Sequence, residues 1–410
     1  MQSRRIVWVL ALCALAAAAE TAADWVRQGQ AYKAKGDAAA ALHAFEKAST
    51  LDPKSPQIED EIGFILAATN RRDEAIAHFE KAIQLDPRFA PAHYHLGVAY
   101  WLGQDPNRSI PELEAAVKLR GSDGDYRYRL GSAYNSVGHH QDAVRELREA
   151  VKLQPKNAAA WNEFGLALQK SGDLPKAVES YRRAIEFDPK NADVHNNLGL
   201  ALVSTREAEA AIVQFEKVLE LEPGNTMARV NIGFVYLQKA ELDKAVAHFK
   251  AVLADHPDLP IAHYDLGVAL KQKDDLEAAQ VELKRALELD PDLVDAHYTL
   301  GIIYWQSGDF ENTVDHMKAA VRLRSDYQQA YYMLGTALKQ KGDSENAITA
   351  LREAIRLNPD DPGPYNALGQ ILRQKGDAEG SKEAFADGAK AKARIDAHSA
   401  EMLKGKNSRR

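Results

Sequence analysis

Trp161-Asn162-Glu163-Phe164-Gly165-Leu166-Ala167-Leu168, then Ser171-Gly172-Asp173, then Ala177, Tyr181, Ala184 and Pro189 form the stretch from which the rest of the chain can be read. Trp161, Phe164, Gly165 and Leu168 stand at i, i+3, i+4 and i+7, which is one face of a helix. Ser171-Gly172-Asp173 reads as a turn whose Asp caps a second helix. Ala177, Tyr181 and Ala184 repeat the helical spacing, and Pro189 stands where a helix cannot continue. The same pattern recurs along the chain. Gly stands at 29, 63, 97, 131, 165, 199, 233, 267, 301, 335 and 369, with every interval equal to 34.

Counting this Gly as position 8, eleven repeats run over 22–55, 56–89, 90–123, 124–157, 158–191, 192–225, 226–259, 260–293, 294–327, 328–361 and 362–395. Position 20 is Ala in eight repeats and Ser109, Thr313 or Ser381 in the others. Small residues at 8 and 20 let two antiparallel helices approach closely. Position 32 is Pro except at Gly121, Ser325 and Ala393. The expected class is all-α, built from stacked helix pairs, none of which buries its apolar face alone. Residues 396–410, with Lys404, Lys406, Arg409 and Arg410, are expected to form a short capping helix and a disordered basic end.

The constellation resembles the tetratricopeptide repeat (TPR) family, whose repeat is a helix–turn–helix of this period. The resemblance covers 374 of the 410 residues. It implies a tetratricopeptide-repeat solenoid, a right-handed superhelix with the first helix of each repeat lining a concave groove. It implies a binding surface and no particular chemistry.

The 410 residues carry 52 Lys+Arg against 59 Asp+Glu, a net charge of −7, which argues against phosphate-driven binding of nucleic acid. The single Cys excludes an internal disulfide framework. The repeats use up the chain beyond the N-terminal segment and leave no catalytic domain, and no hydrolase, phosphate-loop or metalloprotease motif occurs. Neither a cofactor nor a metal is expected. His93, His195, His263 and His297 all occupy position 4, where the family packs a Trp, while His139 and His140 fall in an inter-helix turn.

Residues 1–19 read as a secretory signal: Arg4 and Arg5, an uncharged run from Ile6 to Ala19, and small residues at Ala17 and Ala19. The run is too short to span a bilayer. Export with cleavage near Ala19, to the periplasm or outside the cell, is expected. Loss of Arg4 and Arg5 takes the net charge from −7 to −9.

Positions 2, 5, 9 and 12 share a helix face. By the resemblance, this face looks into the groove and binds ligands. Position 5 carries Tyr264, Tyr298 and Tyr332, position 12 carries Lys271, Trp305 and Lys339, and position 13 carries Gln272, Gln306 and Gln340. These residues of repeats 8–10 are the expected ligand groove, with Tyr94, Trp101 and Tyr128 as a secondary set. The lysines suggest a protein or peptide partner with acidic or C-terminal carboxylate groups. The same tyrosines also fit packing between repeats. Asn197 and Asn231 at position 6 are similar to the Asn ladder of O-linked N-acetylglucosamine transferases, but Asp265, Thr299 and other residues interrupt it, so no transferase activity is implied. The leading expectation is a non-enzymatic scaffold that holds an extended peptide. The alternatives are a component of an envelope polysaccharide or protein export assembly, and the non-catalytic arm of an enzyme complex.

Overall fold

The computed structural model describes residues 20–407, with side chains through Ala397. The expected signal segment lies outside the described residues. Among those residues the structure is all-α, with no strand.

The chain divides between Ala210 and Ala211 into two bodies. In the first, the helices are α1 (Ala22–Ala34), α2 (Ala38–Leu51), α3 (Pro56–Ala68), α4 (Arg72–Leu85), α5 (Ala90–Leu102), α6 (Pro106–Leu119), α7 (Gly124–Ser136), α8 (His140–Leu153), α9 (Ala158–Lys170), α10 (Leu174–Phe187) and α11 (Ala192–Ser204). The second takes up α12 (Ala208–Leu221) from its fourth residue. It continues with α13 (Thr226–Gln238), α14 (Leu242–Asp255), α15 (Pro260–Gln272), α16 (Leu276–Leu289), α17 (Val294–Gln306), α18 (Phe310–Leu323), α19 (Gln328–Gln340), α20 (Ser344–Leu357), α21 (Pro362–Gln374) and α22 (Ala378–Asn407).

Within each body, the two helices of a repeat pack on each other, and first helices touch the first helices of neighbouring repeats, as α3 does α5 and α13 does α15. Caps set the boundaries. Asp173 accepts from the backbone N–H of Lys176 at the start of α10, and Asn157 does the same for Ala160 at the start of α9. The turn inside each repeat needs a left-handed residue at position 15. Six repeats use Gly there, as at Gly172 with φ 90°, and five force another residue into that region, as at Ala240 with φ 57°.

The position-8 glycines are required by what faces them. A Cβ on Gly165 would lie 2.6 Å from the Tyr181 ring, and one on Gly63 would lie 2.6 Å from the Phe79 ring. The residue at position 24 therefore fills the space that a side chain at position 8 would need. Tyr181, Phe45, Phe79, Phe215 and Phe249 are fully buried in this way. Each contributes about 1.5–3 kcal/mol of burial. Position 20 closes the contact from the other side: Ser109 Oγ donates to the Gly97 carbonyl at 2.8 Å.

The C-terminus corrects an expectation. α22 runs unbroken from Ala378 to Asn407, so there is no separate capping helix after residue 395. Ala393 replaces the helix-ending Pro, and the Ala-Lys-Ala-Lys-Ala run of 389–393 favours continuation. Lys404 and Lys406 lie on this helix, while Arg409 and Arg410 are outside the described residues. Among the described residues, no helix is long and apolar enough to cross a membrane.

Candidate binding surface

Two registers organise the side chains of the first helices. The first belongs to position 4, which in repeats 3–9 and 11 supplies an N–H or O–H donor to the carbonyl of position 32 in the preceding repeat. Trp161 Nε1 donates to Pro155 O at 2.8 Å, Arg229 Nη2 to Pro223 O at 2.8 Å, and Tyr365 Oη to Pro359 O at 3.2 Å. His93, His195, His263 and His297 use Nε2 for the same carbonyl at 2.9–3.1 Å. These histidines thus tie one repeat to the next. Pro at position 32 ends the helix and leaves this carbonyl needing a donor. His95 turns elsewhere, its Nδ1 lying 2.8 Å from Asp60 Oδ1.

At the far ring nitrogen, position 4 meets position 23 of its own repeat. His297 and His316 face each other, Nδ1 to Nδ1, at 2.9 Å. Because the Pro291 carbonyl can only accept, His297 carries its proton on Nε2, and its Nδ1 accepts from the His316 Nδ1–H. Burial lowers both pKa values, and the neighbouring His297 helps lower His316 to about 4. An unfolded His protonates near pH 6.5. The stability this pair contributes is present above that pH and is lost as pH falls toward about 4. His316→Gln is therefore expected to flatten the fall in melting temperature between pH 6.5 and 4. Parallel curves for variant and parent would rule the pair out as the cause.

The second register links neighbouring first helices. Position 6 of one repeat meets positions 5 and 12 of the repeat before it. His95 pairs with Asp60, Asn197 Nδ2 donates to Asn162 Oδ1 at 3.1 Å, and Tyr264 lies beside Thr299. From position 12, Lys33 Nζ reaches Glu61 at 2.7 Å and Asn135 Nδ2 reaches Glu163 Oε2 at 3.2 Å.

Packing on neighbouring elements engages the expected groove aromatics. Tyr264 is half-buried against the apolar core of its body. Tyr298 packs on Tyr327 with ring centroids 4.8 Å apart, and Trp305 packs on Phe310 at 5.1 Å. Tyr332 lies against Gly363, where a Cβ would come within 3.0 Å of its ring. Burial raises the pKa of Tyr264, Tyr298 and Tyr332. The expectation of aromatic anchors standing free before binding is corrected accordingly: these rings stack on neighbouring turns. Lys339 is also engaged, donating to Gln370. Lys271 remains half-exposed without a hydrogen bond or ion pair, and Gln272, Gln306 and Gln340 are exposed.

In the secondary set, Arg129 is the residue that the sequence reading missed. Its guanidinium lies 5.7 Å from the Trp101 ring and 5.3 Å from the Tyr128 ring, and it is close to Tyr94. Tyr94 also stacks on Tyr126 at 4.5 Å.

A cavity of about 690 Å³ opens on the first-helix face of repeats 1–3. Ala23, Val26, Ile58 and Pro91 give it apolar lining, and Asp60 and Glu61 give it carboxylates. Sequence reasoning did not single it out, because its lining comes from four helices and the connections between them, which only the packed repeats bring together.

Family models described as "TPR repeat" match residues 63–103, 170–205, 269–308 and 335–376, and others described as "Tetratricopeptide repeat" match 25–55, 103–158, 202–266 and 294–327. No curated protein matches. Among solved structures, yeast Tom70 is 13% identical with a TM-score of 0.50, over 93% of this chain and 99% of Tom70. YrrB, described as a TPR protein with an unusual peptide-binding site, is 26% identical with a TM-score of 0.43, over 46% of this chain and 96% of its own. MamA is 28% identical with a TM-score of 0.37, over 42% of this chain and 95% of its own. With its recurring helix pairs and these family matches along its length, the chain belongs to the tetratricopeptide repeat family of protein–protein interaction scaffolds.

Proposed function

We propose that this protein is an exported, non-catalytic scaffold that holds an extended segment of a partner protein along the face of its first helices. The observation that carries the reading is the cavity of about 690 Å³ on that face, with apolar lining for side chains and carboxylates beside it for main-chain or cationic groups. Export rests on the Arg4-Arg5, apolar and small-residue order of the N-terminus. Recognition of a carboxylate on the partner would fall to Lys271, the groove lysine with no partner of its own.

Capture from envelope extract by the mature protein, read by mass spectrometry, tests the reading. Ala23 is exposed and lines the cavity. Ala23→Trp is expected to fill the cavity and weaken capture roughly tenfold or more while leaving the melting temperature unchanged. Undiminished capture by a folded Ala23→Trp protein would remove the cavity from the binding surface. Lys271→Glu tests the second body by itself: it is expected to weaken capture of a partner that carries carboxylates, and more at low salt than at high salt.

A further inference from the structure

Four carboxyl side chains are buried among the described residues: Glu59, Asp60, Glu146 and Asp265. Three have donors. Glu59 receives Lys81 Nζ and Ser49 Oγ and faces His78 Nδ1, all within 2.7–2.8 Å. Asp60 faces His95 at 2.8 Å, and Glu146 receives Arg127 at 2.6 Å and Arg145 at 3.0 Å. Asp265, on α15, is 6% exposed and makes no hydrogen bond or ion pair with the protein, and its carboxyl oxygens keep a narrow opening to solvent.

The register between first helices explains why. Asp265 occupies position 6 of repeat 8, so its partners should come from positions 5 and 12 of repeat 7. Those residues are Val230 and Leu237, both buried in the apolar core of the body. Neither can donate. Where the same register holds Lys33 against Glu61 or Asn135 against Glu163, it leaves the Asp265 carboxyl with apolar neighbours. Burial pushes its pKa up to about 7. A buried carboxyl without a donor is costly, and its largest gain comes from a cation supplied from outside.

We propose that Asp265 is a specificity-determining residue of the binding face, its carboxylate receiving a Lys or Arg side chain of the partner segment. The proposal rests on the peptide-scaffold reading above. Phe234, at position 9 of the neighbouring α13, is 39% exposed and offers an apolar surface for the stem of such a side chain. Lys271 stands six residues further along α15, about 9 Å in helical rise. A partner segment with a basic residue followed by an acidic one would match both.

The test uses the whole mature protein and short synthetic peptide pools fixed at one central residue as Arg, Lys, norleucine or Glu. The parent protein is expected to bind the Arg and Lys pools roughly tenfold or more tightly than the norleucine pool. Asp265→Asn, which keeps the shape of the side chain, should abolish that preference and bind the norleucine pool as the parent does. A preference retained in Asp265→Asn overturns the assignment. Equal binding of all pools by the parent overturns it too, while leaving the peptide-scaffold reading in place. Failure of every pool to bind overturns both.

Discussion

Gly267→Leu is expected to destabilise repeats 7–9 by about 3 kcal/mol or more, at the upper end of what overpacking costs. Even the first added carbon has no room: a Cβ on Gly267 would lie 2.7 Å from Leu283 Cγ, 3.0 Å from its Cδ2 and 3.3 Å from the Ala279 carbonyl oxygen. Leu283 is fully buried and cannot swing into solvent. The Ala279 oxygen is backbone, so it yields only if α16 moves away from α15. That separation would break the close approach of the pair and expose the surrounding core of Leu266, Ala269 and Ala286. In a stacked-repeat protein, the damage reaches chiefly the neighbours on either side. Hydrogen exchange should therefore show lost protection in α13–α18 and near-parental protection in α1–α10. Uniform loss throughout the chain, or full protection in α15 and α16, would contradict the mechanism.

The helix pairs were legible because their determinants are local. Gly at every thirty-fourth residue, a small residue twelve further on and Pro near the end of most repeats set spacing, contact and termination within one repeat. Position 4 was half legible. Trp161, Arg229, His263 and Tyr365 look unlike as packing residues, yet each carries an N–H or O–H, and that shared property was the signal for the bond to the position-32 carbonyl. The packing of the aromatic stripe is not legible in the sequence, because whether Tyr298 stands free depends on Tyr327, which belongs to the turn leading into the next repeat. The pairing of position 6 with positions 5 and 12 of its predecessor spans 28 or 35 residues, and only the packed register reveals it. Without that register, Asp265 was merely an interruption in a ladder of Asn. At the C-terminus, the loss of Pro at Ala393 is visible in the sequence, but how far the second helix then runs, to Asn407, depends on the residues beyond the repeat.

Asp265→Asn is expected to make the protein more stable than its parent at alkaline pH and to leave it nearly unchanged in acid. The unfolded chain releases the Asp proton near pH 3.9. The folded chain holds it until about pH 7, because burial penalises the charged form. Between those values the folded state binds more protons than the unfolded one. The contribution of Asp265 to stability is thus fully present below about pH 3.9 and is lost as pH rises through about 7. The shift corresponds to roughly 4 kcal/mol. Asn has no proton to lose, so the variant lacks this slope. The His297–His316 pair titrates in both proteins and cancels in the difference, and Tyr264, its pKa raised by burial, keeps its proton across this range. Denaturant midpoints at pH 4, 6 and 8 should give curves that coincide at the first and diverge by the last, with the variant above. Curves that stay parallel would mean that the Asp265 carboxyl is solvated or paired in the folded protein. Divergence would show that the parent carries a destabilising carboxylate near neutral pH, a cost that a cationic partner group would relieve on binding.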